Sequence, residues 1–183
     1  MYTDNSIYQG QVKDGVPEGS GRMTHSDGDV YQGQWKDGKS NGKGTLIDDA
    51  GSIYIGDWED DKQHGVGKEI WDKGALVYIG QFVDSDKTGL GTLTHDNNTY
   101  YGYFEHSKFH GDGQYFFGDE DKLYEGEFDD NELTGMGSMT LNHSANGKKD
   151  KLIGEFTKGR LNGLATKVYK NGDIYTGPFK NDV

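Results

Sequence analysis

Histidine pairs, carboxylate clusters and glycine pairs are the features of this chain that could hold a metal ion or a phosphate. His106 and His110 stand four apart, the interval at which a helix would aim two imidazoles at one metal ion. Asp48-Asp49, Glu59-Asp60-Asp61, Asp119-Glu120-Asp121 and Asp129-Asp130 could supply oxygen ligands to calcium. Gly42-Lys43-Gly44 and its counterparts invite comparison with a phosphate-cradling loop. Each signal weakens once its neighbours are read. His106 and His110 fall in a hairpin turn, where an interval of four does not bring side chains to one face. The acidic clusters match neither the EF-hand spacing nor the nonapeptide calcium repeat, and no Lys-Ser or Lys-Thr follows the glycines. The residues therefore predict no catalytic group, no metal and no cofactor, and the chain reads as a non-enzyme.

What must position all of these residues is a repeat. Tyr31-Gln32-Gly33-Gln34-Trp35 is followed, eleven residues after its Tyr, by Gly42-Lys43-Gly44 with Leu46 behind it. Tyr-x-Gly-x-aromatic and then Gly-x-Gly-x-apolar starts again at Tyr54, Tyr78, Tyr100 and Tyr124. The pattern is weaker from Tyr8 and from Leu152, and its first half returns from Tyr175. The starts are separated by 23, 23, 24, 22, 24, 28 and 23 residues. A fixed period of that length marks a repeat array. Residues 1–183 are accordingly read as a single array of about seven repeats plus a half, with an insertion near 142–149. Tyr2 and Asn5 fit the end of a preceding repeat, and the chain stops after Phe179 where a Gly-x-Gly strand would follow.

Composition without pattern would point elsewhere. The chain is 31% hydrophobic with 30 glycines and a formal net charge of −12, values that lean toward disorder until the glycines and aromatics are seen to occupy fixed slots. The acidic balance argues against nucleic acid and against attraction to anionic lipid. No apolar run is long enough for a membrane helix. With no cysteine, disulfides and thiolate metal sites are excluded and a reducing, cytoplasmic location is expected.

Within a unit the local grammar is strand, turn, strand, turn. Tyr31, Gly33 and Trp35 lie two apart and share one face of a strand, while Val30, Gln32 and Gln34 share the other. Asp37 to Gly42 is turn chemistry tolerant of positive φ. Three residues before the Tyr, the slot holds Gly28, Gly51, Asn97, Asp121 or Gly172, with Ala75 the exception, which predicts a left-handed turn position there. A single layer has no second layer to cover its apolar face. The aromatics must lie over neighbouring backbone, and the glycines supply the space.

At these residues the chain resembles the MORN repeat (membrane occupation and recognition nexus), most clearly over Tyr31 to Leu46, Tyr54 to Gly67 and Tyr124 to Met139. The resemblance implies an all-β fold: an elongated single-layer antiparallel β-sheet solenoid of hairpin repeats with an aromatic-lined groove. It also implies a non-catalytic scaffold, although such arrays occur attached to lipid kinases and lysine methyltransferases as well. It assigns Tyr31, Trp35, Tyr54, Trp58, Tyr78, Phe82, Tyr100, Phe104, Tyr124 and Phe128 to the groove, as partner-binding residues. Alternation places Ile53, Ile55, Val77, Ile79, Val83, Tyr101, Tyr103 and Phe116 on the opposite face, together with Ile47 and Ile70, as an apolar patch. The matching later positions, Glu125, Glu127, Asp129, Glu155 and Thr157, are polar.

The function expected is binding of a protein partner, as an extended peptide or a helix, through groove or patch. A homodimer through the patch or a free end is a further expectation. The alternatives are a membrane- or phospholipid-associating module, which the charge opposes, and the regulatory arm of a larger enzyme. Association with cytoskeleton or membrane is expected to run through a partner. Val12, Leu152, Ala165, Glu69 and Lys167 depart from the family pattern, and the units that carry them are expected to be locally looser.

Overall fold

The computed structural model describes residues 5–144 and 146–183. Tyr2, placed above in a preceding repeat, and Ala145 of the insertion lie outside the described residues. The chain is an all-β array of antiparallel hairpins in which strand order follows chain order. Its contacts divide into two compact units, residues 1–88 and 89–183. Unit 1 holds β1 (Ile7–Lys13), β2 (Val16–Thr24), β3 (Val30–Lys36), β4 (Lys39–Ile47), β5 (Ile53–Glu59), β6 (Lys62–Trp71) and β7 (Leu76–Val83), with one 3₁₀ turn at Asp72–Gly74. β8 (Asp86–His95) begins in unit 1 and ends in unit 2. Unit 2 continues with β9 (Asn98–Glu105), β10 (Lys108–Phe117), β11 (Lys122–Asp129), β12 (Glu132–Leu141), β13 (Lys151–Thr157), β14 (Arg160–Val168) and β15 (Ile174–Phe179).

Each repeat is a hairpin closed by two residues that both take positive φ, such as Asp60 (47°) with Asp61 (67°) and Asp130 (49°) with Asn131 (71°). Two left-handed residues make the turn whose twist matches that of the flanking strands, and short polar side chains tolerate that conformation. These turns also join successive repeats. Asp61 Oδ1 accepts from both the backbone N–H and the hydroxyl of Ser40, at 2.7 and 2.9 Å. Asn131 Oδ1 accepts from the Phe109 N–H and Asp182 Oδ1 from that of Leu161, each at 2.8 Å. Between repeats, Gly28, Gly51, Asp121 and Gly172 have the positive φ their slot predicts. Before Tyr78 and Tyr100 the left-handed position falls one residue earlier, at Gly74 and Asp96, so Asn97 is not the left-handed residue. Those two turns end the repeats of spacing 24 and 22.

The Tyr-x-Gly strand and its partner do not pair evenly. Register is lost between Gly33 and Trp35 against β4 and between Gly56 and Asp57 against β6, where the second strand carries extra residues as a bulge. The first glycine of each Gly-x-Gly sits in that bulge with positive φ, 73° at Gly42 and 58° at Gly65. The bulge is closed by the side chain just before the aromatic. Gln34 Oε1 accepts the Lys43 N–H at 2.9 Å, Asp57 Oδ2 the Val66 N–H at 3.1 Å, and Glu127 Oε1 the Met136 N–H at 3.2 Å. An acceptor recurs in that slot because the bulge leaves an amide unpaired.

The expected looseness at the departing residues is corrected in two units. Leu152 lacks the tyrosine ring, but Leu161 and Ala165 are buried beside it. A Cβ added at Gly154 would meet Ala165 Cβ at 2.6 Å and Leu161 Cδ1 at 3.0 Å, so these apolar side chains fill what the ring vacates. Glu69, in an apolar slot, lies 2.6 Å from Lys87 Nζ, with the two side chains only 13% and 16% exposed. Gln63 Nε2 donates to the other oxygen of Glu69 at 2.9 Å, and Lys87 Nζ lies 4.8 Å above the Trp71 ring. A buried carboxylate paired and hydrogen-bonded in this way does not loosen the unit. Val12, in an aromatic slot, remains 60% exposed.

Candidate functional site

On one face the rings form a zigzag. In unit 1 the order is Tyr8, Trp35, Tyr31, Trp58, Tyr54, Phe82, Tyr78, and consecutive centroids lie 5.1–5.2 Å apart with planes at 81–90°. In unit 2 the order is Phe104, Tyr100, Phe128, Tyr124, Phe156, at 5.0–5.2 Å. Tyr31, Tyr54, Tyr100 and Tyr124 therefore each meet the aromatic of their own repeat and that of the next. Such edge-to-face pairs contribute about 0.5–1.5 kcal/mol each beyond area burial. Phe109, from the second strand, stacks on Tyr100 with centroids 3.8 Å apart.

Tyrosine at the first slot adds a hydrogen bond that phenylalanine could not make. Its hydroxyl donates to the carbonyl three residues on: Tyr31 to Gln34 at 3.0 Å, Tyr54 to Asp57 at 2.8 Å, Tyr100 to Tyr103 at 2.8 Å, Tyr124 to Glu127 at 3.1 Å. Burial pushes the phenols of Tyr31, Tyr78 and Tyr124 up to about 12, and raises those of Tyr54 and Tyr100 as well. Because the folded-state values are raised, this stabilisation is complete below the unfolded value near 10 and is lost as pH rises through the folded values. In an alkaline titration these phenols are expected to ionise together with the loss of the β-sheet circular dichroism signal. Complete ionisation with the sheet signal intact would contradict the ring geometry.

The ten residues assigned to a partner-binding groove are the core of the array. Tyr31, Trp35, Tyr54, Trp58, Tyr78, Phe82, Tyr100, Phe104, Tyr124 and Phe128 are all less than a tenth exposed, Trp58 the most at 7%. Their faces and edges are spent on one another and on the glycine rows beneath. A partner laid along this side would meet the half-buried residues beside the rings, such as Leu46, Gln63 and Trp71.

The opposite face is the open one. Ile55, Ile79, Val83, Tyr101 and Tyr103 are 48–53% exposed, and Ile53, Val77 and Phe116 are half-buried. In unit 1 strand register makes a continuous row of Ile7, Thr24, Val30, Ile47, Ile53, Ile70 and Val77, each directly across from the next. A second row brings Ile55 and Ile79 to either side of Lys68. Together with Val66 and Thr45 these three line a shallow depression of about 520 Å³ floored by Gly44, Gly56 and Gly67. In unit 2 Tyr101 lies between Thr92 and Gln114, Tyr103 lies beside Leu90, and Phe116 lies between Thr99 and Leu123.

The open apolar face extends beyond the patch that alternation predicts. The row in unit 1 reaches back to Val30 and Ile7, and Met136 (61% exposed) and Leu164 (80%) interrupt the polar stretch in unit 2. Both lie on second strands, and the period-two alternation of Gly-Met-Gly and Gly-Leu-Ala carried the signal.

The histidines and carboxylates serve the hairpins. His106 occupies the first position of its turn, with φ of 47°. His110 lies between Glu105 (3.4 Å) and Asp129 (3.3 Å), and His64 lies 3.4 Å from Glu59. Asp48 Oδ1 accepts the Ser52 N–H at 2.7 Å, and Asp121 Oδ1 accepts that of Ser144 at 2.8 Å. The hydrogen bonds to Ser144 hold the Asp121 carboxyl below the usual carboxylate range. Among the described residues no three His, Asp or Glu side chains converge as a metal cage, and no helix is long and apolar enough to cross a membrane.

Among curated proteins none matches this chain. The sequence profile of the MORN repeat matches residues 8–30, 31–53, 54–75, 78–99, 124–142 and 153–174. The hairpin from Tyr100 falls outside those matches, yet it shares their ring pair and tyrosine hydrogen bond. Repeats of this kind are generally non-catalytic and often serve membrane- or protein-interaction roles. With six matched repeats spread over most of its length and the ring-on-glycine hairpin in each unit, the chain belongs to the MORN repeat family.

Proposed function

We propose that this chain is a non-catalytic protein-interaction scaffold whose binding surface is the face opposite the rings. The observation that carries the reading is the half-exposed pair Ile55 and Ile79 beside the largely apolar row of unit 1, on a chain whose formal net charge is −12. β-Branched residues stabilise strands wherever they sit. Half-exposed isoleucines flanking a glycine-floored depression do more than that, because they offer a pocket to a partner's side chains. A protein partner presenting an extended peptide or one helix fits a surface of this kind. Its test compares the parent chain with Ile55→Lys/Ile79→Lys in capture from the native source, with circular dichroism as the control for folding. Partners retained by the parent should be lost from the double variant. Capture of the same partners by both proteins would exclude this face.

A membrane-facing role is the family's other common assignment, and the charge of the chain opposes it. Clustered basic residues near an anionic surface are worth about 1 kcal/mol each, and here 31 carboxylates outnumber 19 basic side chains. Flotation with anionic liposomes at physiological salt is therefore expected to leave the protein unbound. Saturable submicromolar binding to phosphoinositide vesicles would transfer the assignment to lipid.

A further inference from the structure

Charge divides the open face between the two units. In unit 1 its three central rows carry Arg22, Lys43 and Lys68 against one carboxylate, Asp57, which Lys43 already holds at 2.6 Å. Neither Arg22 nor Lys68 has an acidic partner among the described residues. In unit 2 the equivalent rows carry Asp112, Glu125, Glu127 and Glu155 against Lys151, which lies 3.8 Å from Glu125. Asp112 faces Glu127 directly across the β10–β11 pair, a like-charge placement that costs stability unless something relieves it. No cation pairs with Asp112, Glu127 or Glu155 among the described residues. A cationic face in a chain of net charge −12 runs against its composition, and a matching anionic face is present on the same chain.

We propose that the open face of unit 1 docks on the open face of unit 2 of a second copy of this chain. The inference rests on the reading that this face is the interaction surface, and it names the partner. Arg22 and Lys68 meet the carboxylates of Asp112 and Glu155, which relieves the Asp112–Glu127 repulsion. The depression beside Ile55, Ile79 and Val66 receives the exposed ring of Tyr101 or Tyr103. Aromatic anchors seated in apolar depressions supply affinity, and complementary charge supplies register and partner choice.

The experiment is a charge exchange on the full chain, read by sedimentation or light scattering. Arg22→Glu/Lys68→Glu makes both faces acidic, and Asp112→Lys/Glu155→Lys reduces the acidity of the second. None of the four side chains makes a hydrogen bond or ion pair among the described residues, so both variants should keep the parent's circular dichroism. The parent should exceed monomer mass at about 100 μM in low salt, far above the micromolar constants of stable interfaces, and fall toward monomer at about 1 M salt, where charge is screened within about 3 Å. Each variant alone should associate at least about tenfold more weakly, and an equimolar mixture of the two should recover association. A parent that is monomeric in low salt overturns the proposal, as does association indifferent to salt and to both variants, or a mixture that stays monomeric. If the parent is monomeric yet Ile55→Lys/Ile79→Lys abolishes capture of another protein, the second copy is refuted and the interaction surface stands.

Discussion

Gly56→Val is expected to destabilise unit 1 by about 3 kcal/mol, the upper end of the range for overpacked sites. A Cβ at Gly56 would lie 2.7 Å from Gly67 Cα and 2.7 Å from Tyr54 Cζ, and still closer to the Tyr54 hydroxyl. The first of these atoms is backbone held by the β5–β6 ladder, which pairs Gly56 with Gly67. The others belong to a ring wedged between Trp58 and Phe82 at 5.1 Å. Nothing nearby can give way, so the side chain must lift the ring, lose its hydrogen bond to Asp57 and open the zigzag on both sides. Gly15→Asn is the control: Gly15 has φ of 81°, nothing lies within 4 Å of its added Cβ, and asparagine tolerates the left-handed conformation. Its denaturation midpoint should stay close to that of the parent. Equal losses at the two sites would mean that the glycines are needed for turn flexibility and not for ring cover.

Tyr54→Leu should cost about 3 kcal/mol alone, as large-to-small core changes do, and Gly67→Ala about 2 kcal/mol alone. Their combination should cost at least about 1 kcal/mol less than the sum. The three atoms nearest an added Cβ at Gly67 all belong to the Tyr54 ring, with Cε2 and the hydroxyl oxygen at 2.5 Å. Removing the ring frees the space that the methyl needs. Unit 2 already contains this exchange, since Leu152 stands where the other repeats have tyrosine and Ala165 stands where they have glycine, both buried. The measurement is a double-mutant cycle by urea denaturation. Strict additivity would show that Leu152 and Ala165 are independent departures and that their repeat is held by something else.

Much of this fold is legible from local spacing. The Tyr-x-Gly-x-aromatic interval puts three residues on one side of any strand, and the 23-residue period repeats the hairpin. Both follow from backbone geometry that no distant residue alters. The two glycines of Gly-x-Gly look alike in sequence and act differently in space. Gly42 takes the positive φ of a bulge, while Gly44 lies beneath the Tyr31 ring. The bulge arises only from the pairing of two strands, so no single strand announces it.

Alternation also identifies which side chains share a face, but not which face is covered. The family resemblance places the rings in a groove, but in the fold they are buried, as where Tyr31 and Tyr54 each pack against the aromatic of the next repeat. Ile55 and Ile79 on the opposite face flank Lys68 instead and stay about half exposed. Glu69 is compatible with an apolar slot only because Lys87 and Gln63, from other strand positions, converge on it. Local spacing dictates the repeat, the strands and their two sides. Burial, bulge closure and the division of charge on the open face were decided by the tertiary structure, because each depends on what the neighbouring strand or repeat brings within a few ångströms.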